Sequence, residues 1–444
     1  MSLSHARRLL NELDPIRVMG RVSQVVGLVI ESTGPTARMG EVCLLYPDRN
    51  SQPILAEVVG FRGDRLLLMP LGEMAGIKPG SEVVATGKPL TVGVGDALLG
   101  RVLNGLGEAI DGGPPLMRLH QAPVENAPPN PLLRQRIKEP MPLGVRAIDG
   151  LLTCGRGQRL GIFAGSGVGK STTLGMIARN TSADLNVICL VGERGREVRD
   201  FLERDLGPEG LARSVVVVAT SDQPALQRLK AAMVATAVAE FFRDQGKDVV
   251  LMMDSVTRFA MAQREVGLAI GEPPATKGYT PSVFAILPKL LERAGTADTG
   301  SITGLYTVLV EGDDLNEPIS DTVRGILDGH IVLSRELAQQ NHYPAIDVLA
   351  SISRVMVEIT GADHQKAGGW LREVLATHKS AQDLINIGAY QQGSNPQIDA
   401  AMSFIEPCKA FLRQTIHESA PYPETVDKLR ELFGPLFEAE GPAY

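Results

Sequence analysis

The sequence predicts an α/β protein in which a central parallel β-sheet lies between a small β-rich domain and a helical domain. Three observations lead to this prediction. Short β-rich runs separated by Gly, Pro and Asp turns fill residues 15–90, continuous apolar runs alternate with helical stretches through the middle of the chain, and the strand pattern fades after about residue 355. Continuous apolar strands separated by helices are typical of parallel sheets that helices cover on both faces.

Length and composition indicate a globular protein of several domains. The chain has 444 residues, of which 44% are hydrophobic and 21% charged. Its net charge of −7 argues against a protein that coats nucleic acid through overall charge, so we expect no nucleic-acid partner. The N-terminus lacks the core of a signal peptide, apolar runs stay too short to span a membrane, and no cysteines have CxxC spacing, so we expect a cytoplasmic protein.

Changes of pattern divide the chain into four parts. Residues 1–20 carry apolar residues at helical spacing, which predicts either a partner-docking helix or a frayed terminus. Residues 21–90, with runs such as GEVCLLY and RLLLMPL, predict a small barrel or sandwich. We assign residues 91–354 to the parallel-sheet domain and its Gly- and Pro-rich connector, and residues 355–444, with WLREVLATHKSAQDLI and ETVDKLRELF, to a helical domain.

The stretch FAGSGVGKST, residues 163–172, lies between the predicted strand QRLGIF and a helical segment. Its glycines let backbone N–H groups converge on an anion, and the helix N-terminus adds a partial positive charge. Lys170 can reach the β- and γ-phosphates and the Ser171 hydroxyl can ligate Mg²⁺, although Ala164 replaces the first glycine of the strict P-loop consensus. The alternative is a glycine-rich turn with an incidental lysine. The predicted phosphate-binding residues are Gly165, Ser166, Gly167, Val168, Gly169, Lys170, Ser171 and Thr172.

Two carboxylates follow other predicted strands. Asp254 ends the run VVLMMD at the carboxyl edge of the sheet, where it can orient Mg²⁺ and its waters, or alternatively serve only as a helix N-cap. Glu193 follows NVICLVG and can activate water, or it can form a structural ion pair with nearby arginines such as Arg194.

Several long motifs resemble one known family. They are GVRAIDGLLTCGRGQRLGIFAGSGVGKST, VGERGREVRDF, MDSVTRFAMAQREVGLAIGEPPATKGYTPSVF, EGDDLNEPISD and AIDVLASISR. They resemble the flagellum-specific type III export ATPases, a family similar to the α and β subunits of rotary ATP synthases. The resemblance implies a RecA-like P-loop domain with an N-terminal β-barrel and a C-terminal helical domain. It also implies Mg²⁺-dependent ATP hydrolysis that energises flagellar protein export.

The same resemblance implies roles for matching positions. Lys170 and Ser171 would bind phosphate and Mg²⁺, and Asp254 would be the acidic residue of the second nucleotide motif. Glu193 of GER would be the catalytic carboxylate that polarises water.

Four further residues receive roles in this way. Arg194 and Arg258 would lie near the γ-phosphate, and Tyr343 would stack on adenine. Arg354 would be an arginine finger that reaches into the site of a neighbouring subunit, which implies a homohexameric ring. The implied partners are a regulatory stator-like protein at the N-terminus, export chaperone–substrate complexes and the export gate at the cytoplasmic face of the inner membrane.

Three alternatives to this function remain open. The first is the ATPase of a virulence-type III secretion system, which has similar motifs. The second is a ring helicase or transcription terminator, although residues 15–90 are poor in aromatic residues and not markedly basic. The third is a non-catalytic nucleotide-binding ring subunit, a class that lacks the carboxylate found here as Glu193.

Overall fold

A computed structural model describes residues 19–48, 51–310, 312 and 314–440 of the chain. The helix expected within residues 1–20 falls outside this range, apart from Met19 and Gly20, with which the first strand begins.

The first part of the described chain is a closed barrel of six antiparallel strands, in the order β1-β2-β5-β4-β3-β6. Its apolar interior includes Val22, Ile30, Leu45 and Leu68, which alternate with outward-facing positions as a barrel requires. The expected N-terminal β-barrel is therefore confirmed. Its strands are β1 Met19–Val26, β2 Val29–Thr33, β3 Glu41–Tyr46, β4 Ile54–Arg62, β5 Arg65–Pro70 and β6 Glu82–Pro89.

The segment after the barrel contains more regular structure than its Gly- and Pro-rich sequence indicates. Strands β7 (Thr91–Val94) and β9 (His120–Pro123) form an antiparallel pair. Between them, β8 (Val102–Asn104) joins the edge of the central sheet in parallel to a later strand. Two short 3₁₀ turns, Asp96–Leu98 and Pro131–Leu133, complete this connector.

The central sheet contains nine strands among the described residues, and its main order is β17-β16-β10-β15-β13-β11-β12-β8. The apolar runs interpreted as parallel strands, among them QRLGIF, NVICLVG and VVLMMD, are confirmed, whereas β17 is antiparallel to β16 and the short β14 is antiparallel to β15. The strands other than β8 are β10 Arg159–Ala164, β11 Leu185–Val191, β12 Ser214–Ala219, β13 Asp248–Asp254, β14 Gly295–Thr296, β15 Ser301–Leu309, β16 Gly329–Leu333 and β17 Ile346–Ser353.

Helices cover both faces of this sheet. Along β13, Val249 and Leu251 belong to one apolar core, and Val250 and Met252 belong to the other, so consecutive side chains are buried on opposite faces. The helices of this region are α1 Arg146–Leu151, α2 Lys170–Asn180, α3 Gly195–Asp200, a π-helical turn Phe201–Leu206, α4 Gly207–Ala212, α5 Ala225–Asp244, α6 Val256–Ile270, a 3₁₀ turn Thr276–Gly278, α7 Pro281–Leu291, α8 Pro318–Ile326, α9 Arg335–Gln339 and α10 Met356–Ile359.

The last part of the chain is helical, as expected. It consists of α11 Ala362–Asn386, α12 Pro396–Leu412, α13 Tyr422–Leu432 and α14 Gly434–Glu440. The ring of Trp370 packs against Phe433 and Phe437, with ring centroids 5.8 and 4.8 Å away. In the described parts of the chain, no helix has both the length and the apolar character needed to cross a bilayer.

Candidate functional site

The loop between β10 and α2 forms one wall of a cleft of about 590 Å³ at the carboxyl edge of the parallel strands. Gly167 and Gly169 have φ angles of 78° and 92°, in the left-handed region that glycine adopts without strain. Gly169 is the N-cap of α2, so the unpaired N–H groups of the first helical turn lie beside the cleft. These features suit the binding of an anion.

Lys170, the first residue of α2, lies between two carboxylates inside this cleft. Its Nζ atom is 2.5 Å from Oδ1 of Asp254 and 3.5 Å from Oε1 of Glu193. The two carboxylates come together because β11 and β13 are neighbours, with Leu190 paired to Asp254. The sequence motifs that supply the lysine and the two acids therefore meet in one place.

This cluster has unusual electrostatics. The pKa of Glu193 is raised to about 7, chiefly because the carboxyl group is buried; the Lys170 ammonium lowers this pKa, and the nearby Asp254 carboxylate raises it. Burial also acts to lower the pKa of Lys170, but Asp254 and Glu193 outweigh it and raise that pKa. Glu193 is consequently a carboxyl group that can exchange its proton near neutral pH.

Neighbouring elements hold Asp254 and Arg258 in place. Asp254 accepts a hydrogen bond from the Thr307 hydroxyl at 2.7 Å. Ser255 caps α6 by accepting from the N–H of Arg258 at 3.3 Å, which brings the Arg258 side chain to the cleft. A Cβ at Gly192 would approach that side chain to 3.0 Å, so the glycine makes room for it. The buried Nε of Arg258 has no hydrogen-bond partner among the described residues.

Arg194 lies at the exposed mouth of the cleft. It is the N-cap of α3, and its side chain, 79% exposed, lies 3.4 Å from the carboxylate of Glu197. The weak pairing leaves Arg194 able to turn toward a ligand.

A second cavity, of about 760 Å³, adjoins the first across the phosphate loop. Both cavities are lined by Gly167, Gly169 and Thr172. The second is mostly apolar, and the half-exposed ring of Tyr343 forms one side of it. Residues 413–418, which we call the C-terminal wall, also line this cavity. A flat apolar ring system joined to a chain of phosphates would fit the two cavities together.

Arg354 lies away from this cleft. Strand β17 runs antiparallel to β16, so that Ser353 pairs with Gly329 at the start of β16, and Leu333 at the end of β16 pairs with Ala164 beside the phosphate loop. The length of β16, about 13 Å at 3.3 Å per residue, therefore separates Arg354 from the phosphate loop of its own chain. The Arg354 side chain is exposed.

The structure thus brings together most of the residues singled out from sequence. Seven of the eight predicted loop residues line the cleft, together with Glu193, Arg194 and Arg258. The eighth, Val168, has its side chain buried in the core. Asp254 lies behind Lys170, to which it is hydrogen-bonded. Sequence reasoning missed Thr307 and the C-terminal wall, which carry no local motif. Further cleft-lining residues that it missed include Glu197, Arg204, Thr257, Met261, Glu317 and Arg335.

A glycine-rich phosphate loop, a lysine and two strand-end carboxylates on a parallel sheet define a P-loop nucleoside triphosphatase. The chain is 58% identical over 422 residues to the flagellum-specific ATP synthase of Bacillus subtilis (strain 168), covering 95% of this chain and 96% of that protein. It is 53% identical to the type 3 secretion system ATPase of Xanthomonas euvesicatoria, covering 93% of each. The chain therefore belongs to the family of flagellum-specific and type 3 secretion ATPases, as its motifs predict.

Family models and solved structures agree with this assignment. Residues 144–353 match the nucleotide-binding domain of the ATP synthase alpha/beta family, residues 22–87 match the beta-barrel domain of that family, and residues 360–431 match the T3SS EscN ATPase C-terminal domain. The assembled ATPase EscN from enteropathogenic E. coli superposes with a TM-score of 0.87 at 48% identity, covering 93% of this chain and 99% of that chain. EscN in complex with its central stalk EscO superposes with a TM-score of 0.86.

Proposed function

We propose that the chain hydrolyses Mg²⁺-ATP within a homohexameric ring and thereby energises flagellar type III protein export. The observation that carries the proposal is the position of Lys170 beneath the glycine loop, in contact with Asp254 and within 3.5 Å of Glu193. Phosphoryl transfer requires a cation that binds the phosphates, a carboxylate that orients the metal ion and a carboxylate that activates the attacking water.

The binding of the nucleotide follows from the two cavities. The N–H groups of the loop and the ammonium of Lys170 hold the phosphates, while Tyr343 stacks on the base. Mg²⁺ would be held by the Ser171 hydroxyl and oriented by Asp254, and it would neutralise charge on the β- and γ-phosphates. The donor set fits, because Mg²⁺ takes oxygen ligands and usually needs only one or two from the protein. Among the described residues, no three His, Cys, Asp or Glu side chains form a cluster that could hold a metal ion.

Glu193 is the residue we propose to activate the attacking water. Its raised pKa of about 7 makes it a stronger base than an ordinary carboxylate, and it still loses its proton near neutral pH. Arg258 and Arg194 lie on the same cleft and can donate hydrogen bonds to the oxygens of the γ-phosphate. The unpaired buried Nε of Arg258 is a donor available for such an acceptor.

We propose that Arg354 completes the site of a neighbouring subunit. Its exposed position at the opposite edge of the sheet keeps it from its own cleft and leaves it accessible to a second copy. One chain supplies both Glu193 and Arg354, so identical copies can form complete sites in a closed ring. EscN, which has this fold, is described as assembled and in complex with a central stalk, which supports a ring with a stalk-like partner.

The remaining parts of the proposal concern the location of the ring in the cell and its protein partners. We propose that the ring works at the cytoplasmic face of the inner-membrane export gate, with a stator-like regulator at its N-terminus and chaperone–substrate complexes as clients. The flagellar assignment rests on relatives such as the flagellum-specific ATP synthases of Bacillus subtilis and of Treponema pallidum (strain Nichols), the latter 56% identical. A virulence-type system is the second candidate, because type 3 secretion ATPases reach 53% identity.

Measuring ATP turnover against protein concentration tests the proposal. If sites form between subunits, the activity per chain rises steeply as the ring assembles. A chain that reaches a ring at high concentration and still neither binds nor hydrolyses Mg²⁺-ATP would overturn it. Restoring motility, rather than needle secretion, to a host that lacks its own export ATPase separates the flagellar candidate from the virulence-type one.

A further inference from the structure

The C-terminal wall, residues 413–418, is held against the nucleotide-binding part of the chain by a buried hub. Gln414, only 5% exposed, forms the centre of this hub. Its side-chain oxygen accepts from the N–H of Arg146 at 2.8 Å, and its side-chain amide donates to the carbonyls of Gly144 and Glu418, each at 2.9 Å. Its own N–H donates to the carbonyl of Tyr343 at 3.0 Å, which joins the wall directly to the residue whose ring lines the same cavity.

Arg146 supplies most of the remaining contacts to this segment. It is the first residue of α1 and is 7% exposed. Its Nε donates to the carbonyl of Phe411 at 2.9 Å, and its two terminal nitrogens reach the carbonyl of Arg413 and the carboxylate of Glu418. The planar guanidinium therefore satisfies one acid and two backbone carbonyls at the C-terminal end of α12, where the last carbonyls have no helical partners.

A second arginine anchors the other end of the wall. Arg179, in the last turn of the helix that Lys170 begins, donates to the carbonyl of Ile416 at 2.7 Å. The wall thus contacts the phosphate-binding helix as well as α1. Neither Arg146 nor Arg179 lines the apolar cavity, whereas Gln414, Thr415 and Ile416 do.

We propose that Arg146 is a positioning residue for the nucleobase, and the proposal rests on the function proposed above. By fixing the C-terminal wall beside Tyr343, Arg146 sets the shape of the cavity that takes the base, without touching the nucleotide. The phosphates bind on the other side of the loop, at Lys170, where Arg146 has no contact. Loss of Arg146 should therefore weaken the contribution of the base to binding and leave the contribution of the phosphates intact.

The test compares ATP with inorganic tripolyphosphate, which has the phosphates but no base. In Arg146→Gln, we expect the KM for ATP to rise about tenfold, equivalent to about 1.4 kcal/mol, with kcat at saturation within about twofold of the parent. The inhibition constant of Mg²⁺-tripolyphosphate should stay within about twofold. Arg146→Lys keeps the positive charge but loses the planar guanidinium with its several donors, and it should give a smaller rise in KM.

Arg430→Gln is the matched control. Arg430 also forms an ion pair, at 2.8 Å to Asp363, but both partners lie within the helical part and away from the wall. The KM of the Arg430→Gln variant for ATP should equal that of the parent chain.

The outcomes separate the two proposals. If the parent chain hydrolyses ATP and Arg146→Gln keeps its KM, the positioning role is wrong. If the binding of ATP and the binding of tripolyphosphate weaken equally, the positioning role is also wrong, because that pattern indicates a general loss of structure. If Arg146→Gln does not fold, the same comparison in Arg146→Lys decides, with its thermal unfolding measured alongside. A parent chain that binds neither ligand contradicts the proposed function instead.

Discussion

The ammonium group of Lys170 lies 2.5 Å from Oδ1 of Asp254, and this ion pair joins the phosphate loop to the end of β13. Asp254 and Glu193 are both largely buried, so the lysine compensates two carboxylates that have little access to water. A phosphate that enters the cleft competes with these acids for the same cation. Without nucleotide, the ammonium of Lys170 is therefore already paired inside the site, and nucleotide binding must redistribute this charge.

Substituting Lys170 by Ala should abolish hydrolysis. The change removes the cation for the phosphates and leaves the carboxylates of Asp254 and Glu193 without it, so that they repel an incoming anion. We expect turnover to fall by about 100-fold or more and nucleotide binding to weaken, measured by steady-state ATPase assay and by calorimetric titration. Lys78→Ala, at an exposed lysine of the barrel that pairs with Asp48, is the control and should retain full activity.

The pH dependence of the reaction should report the ionisation of Glu193. A water-activating carboxylate works only when it is deprotonated, and burial raises the pKa of Glu193 to about 7. In the free enzyme, kcat/KM should therefore increase with pH through about 7 and level off above it. One unit below that pKa it should be roughly tenfold lower than the plateau.

Glu193→Gln provides the check on this assignment. The variant should bind nucleotide and lose turnover at every pH, because the amide cannot accept a proton. The control is Glu203→Gln, at a surface carboxylate paired with Arg199 at 2.8 Å, which should keep the parent pH profile. A Glu193→Gln variant with unchanged hydrolysis would instead support a non-catalytic ring subunit.

How far the fold follows from sequence is clear from individual strands. The run VVLMMD could be predicted to form a strand because β13 is buried on both faces of the sheet, and its residues are therefore apolar almost without interruption. The missed β17 is an edge strand that alternates irregularly between buried and exposed positions. The missed β8 has only three residues, in a Gly-rich segment, and is ordered by pairing with β12 rather than by its own propensity.

Some residues of the candidate site could likewise be predicted from the sequence, and others could not. Lys170, Asp254 and Glu193 were predictable as a cluster because each lies at or after the carboxyl end of a strand, and the carboxyl ends of parallel strands meet at one edge. The C-terminal wall could not be predicted, because residues 413–418 are held beside the cavity by contacts with residues such as Arg146 and Arg179, more than 200 positions away in the sequence. No local spacing encodes a contact of that range.

Arg354→Ala should reduce turnover by about 1,000-fold and leave nucleotide binding largely intact, because an arginine finger acts mainly on the transition state. Its position at the opposite edge of the sheet makes a mixing experiment decisive. Arg354→Ala and Lys170→Ala chains, each inactive alone, should regain part of the activity when they are mixed before ring assembly. In such a mixture, some interfaces combine an intact lysine with an intact arginine.

The control for the mixing experiment is Arg324→Ala. Arg324 pairs with Asp321 of its own chain at 2.9 Å, and its loss should leave turnover unchanged. Two inactive chains that stay inactive after mixing into common rings would show that Arg354 does not act between subunits.

A buried ion cluster should hold the barrel against the central sheet. Lys230 on α5 is 3% exposed and lies 2.6 Å from Glu57 of the barrel and 2.6 Å from Glu125 of the connector. Substituting Lys230 by Met removes the cation and leaves Glu57 buried beside an apolar group. We expect the free energy of unfolding to fall by about 3 kcal/mol, measured by urea titration, because a buried charge without its partner is strongly destabilising.

The loss in Lys230→Met should depend on pH in a defined direction. Burial already raises the pKa of Glu57, so the folded variant holds its proton more tightly than the unfolded chain does. Stability therefore falls as pH rises, and the deficit should be larger at pH 8 than at pH 5. The double variant Lys230→Met/Glu57→Gln should recover stability at the higher pH, and Lys78→Met, at an exposed pair, should cost less than about 1 kcal/mol. A deficit that is equal at both pH values would show that Glu57 is not the group left uncompensated.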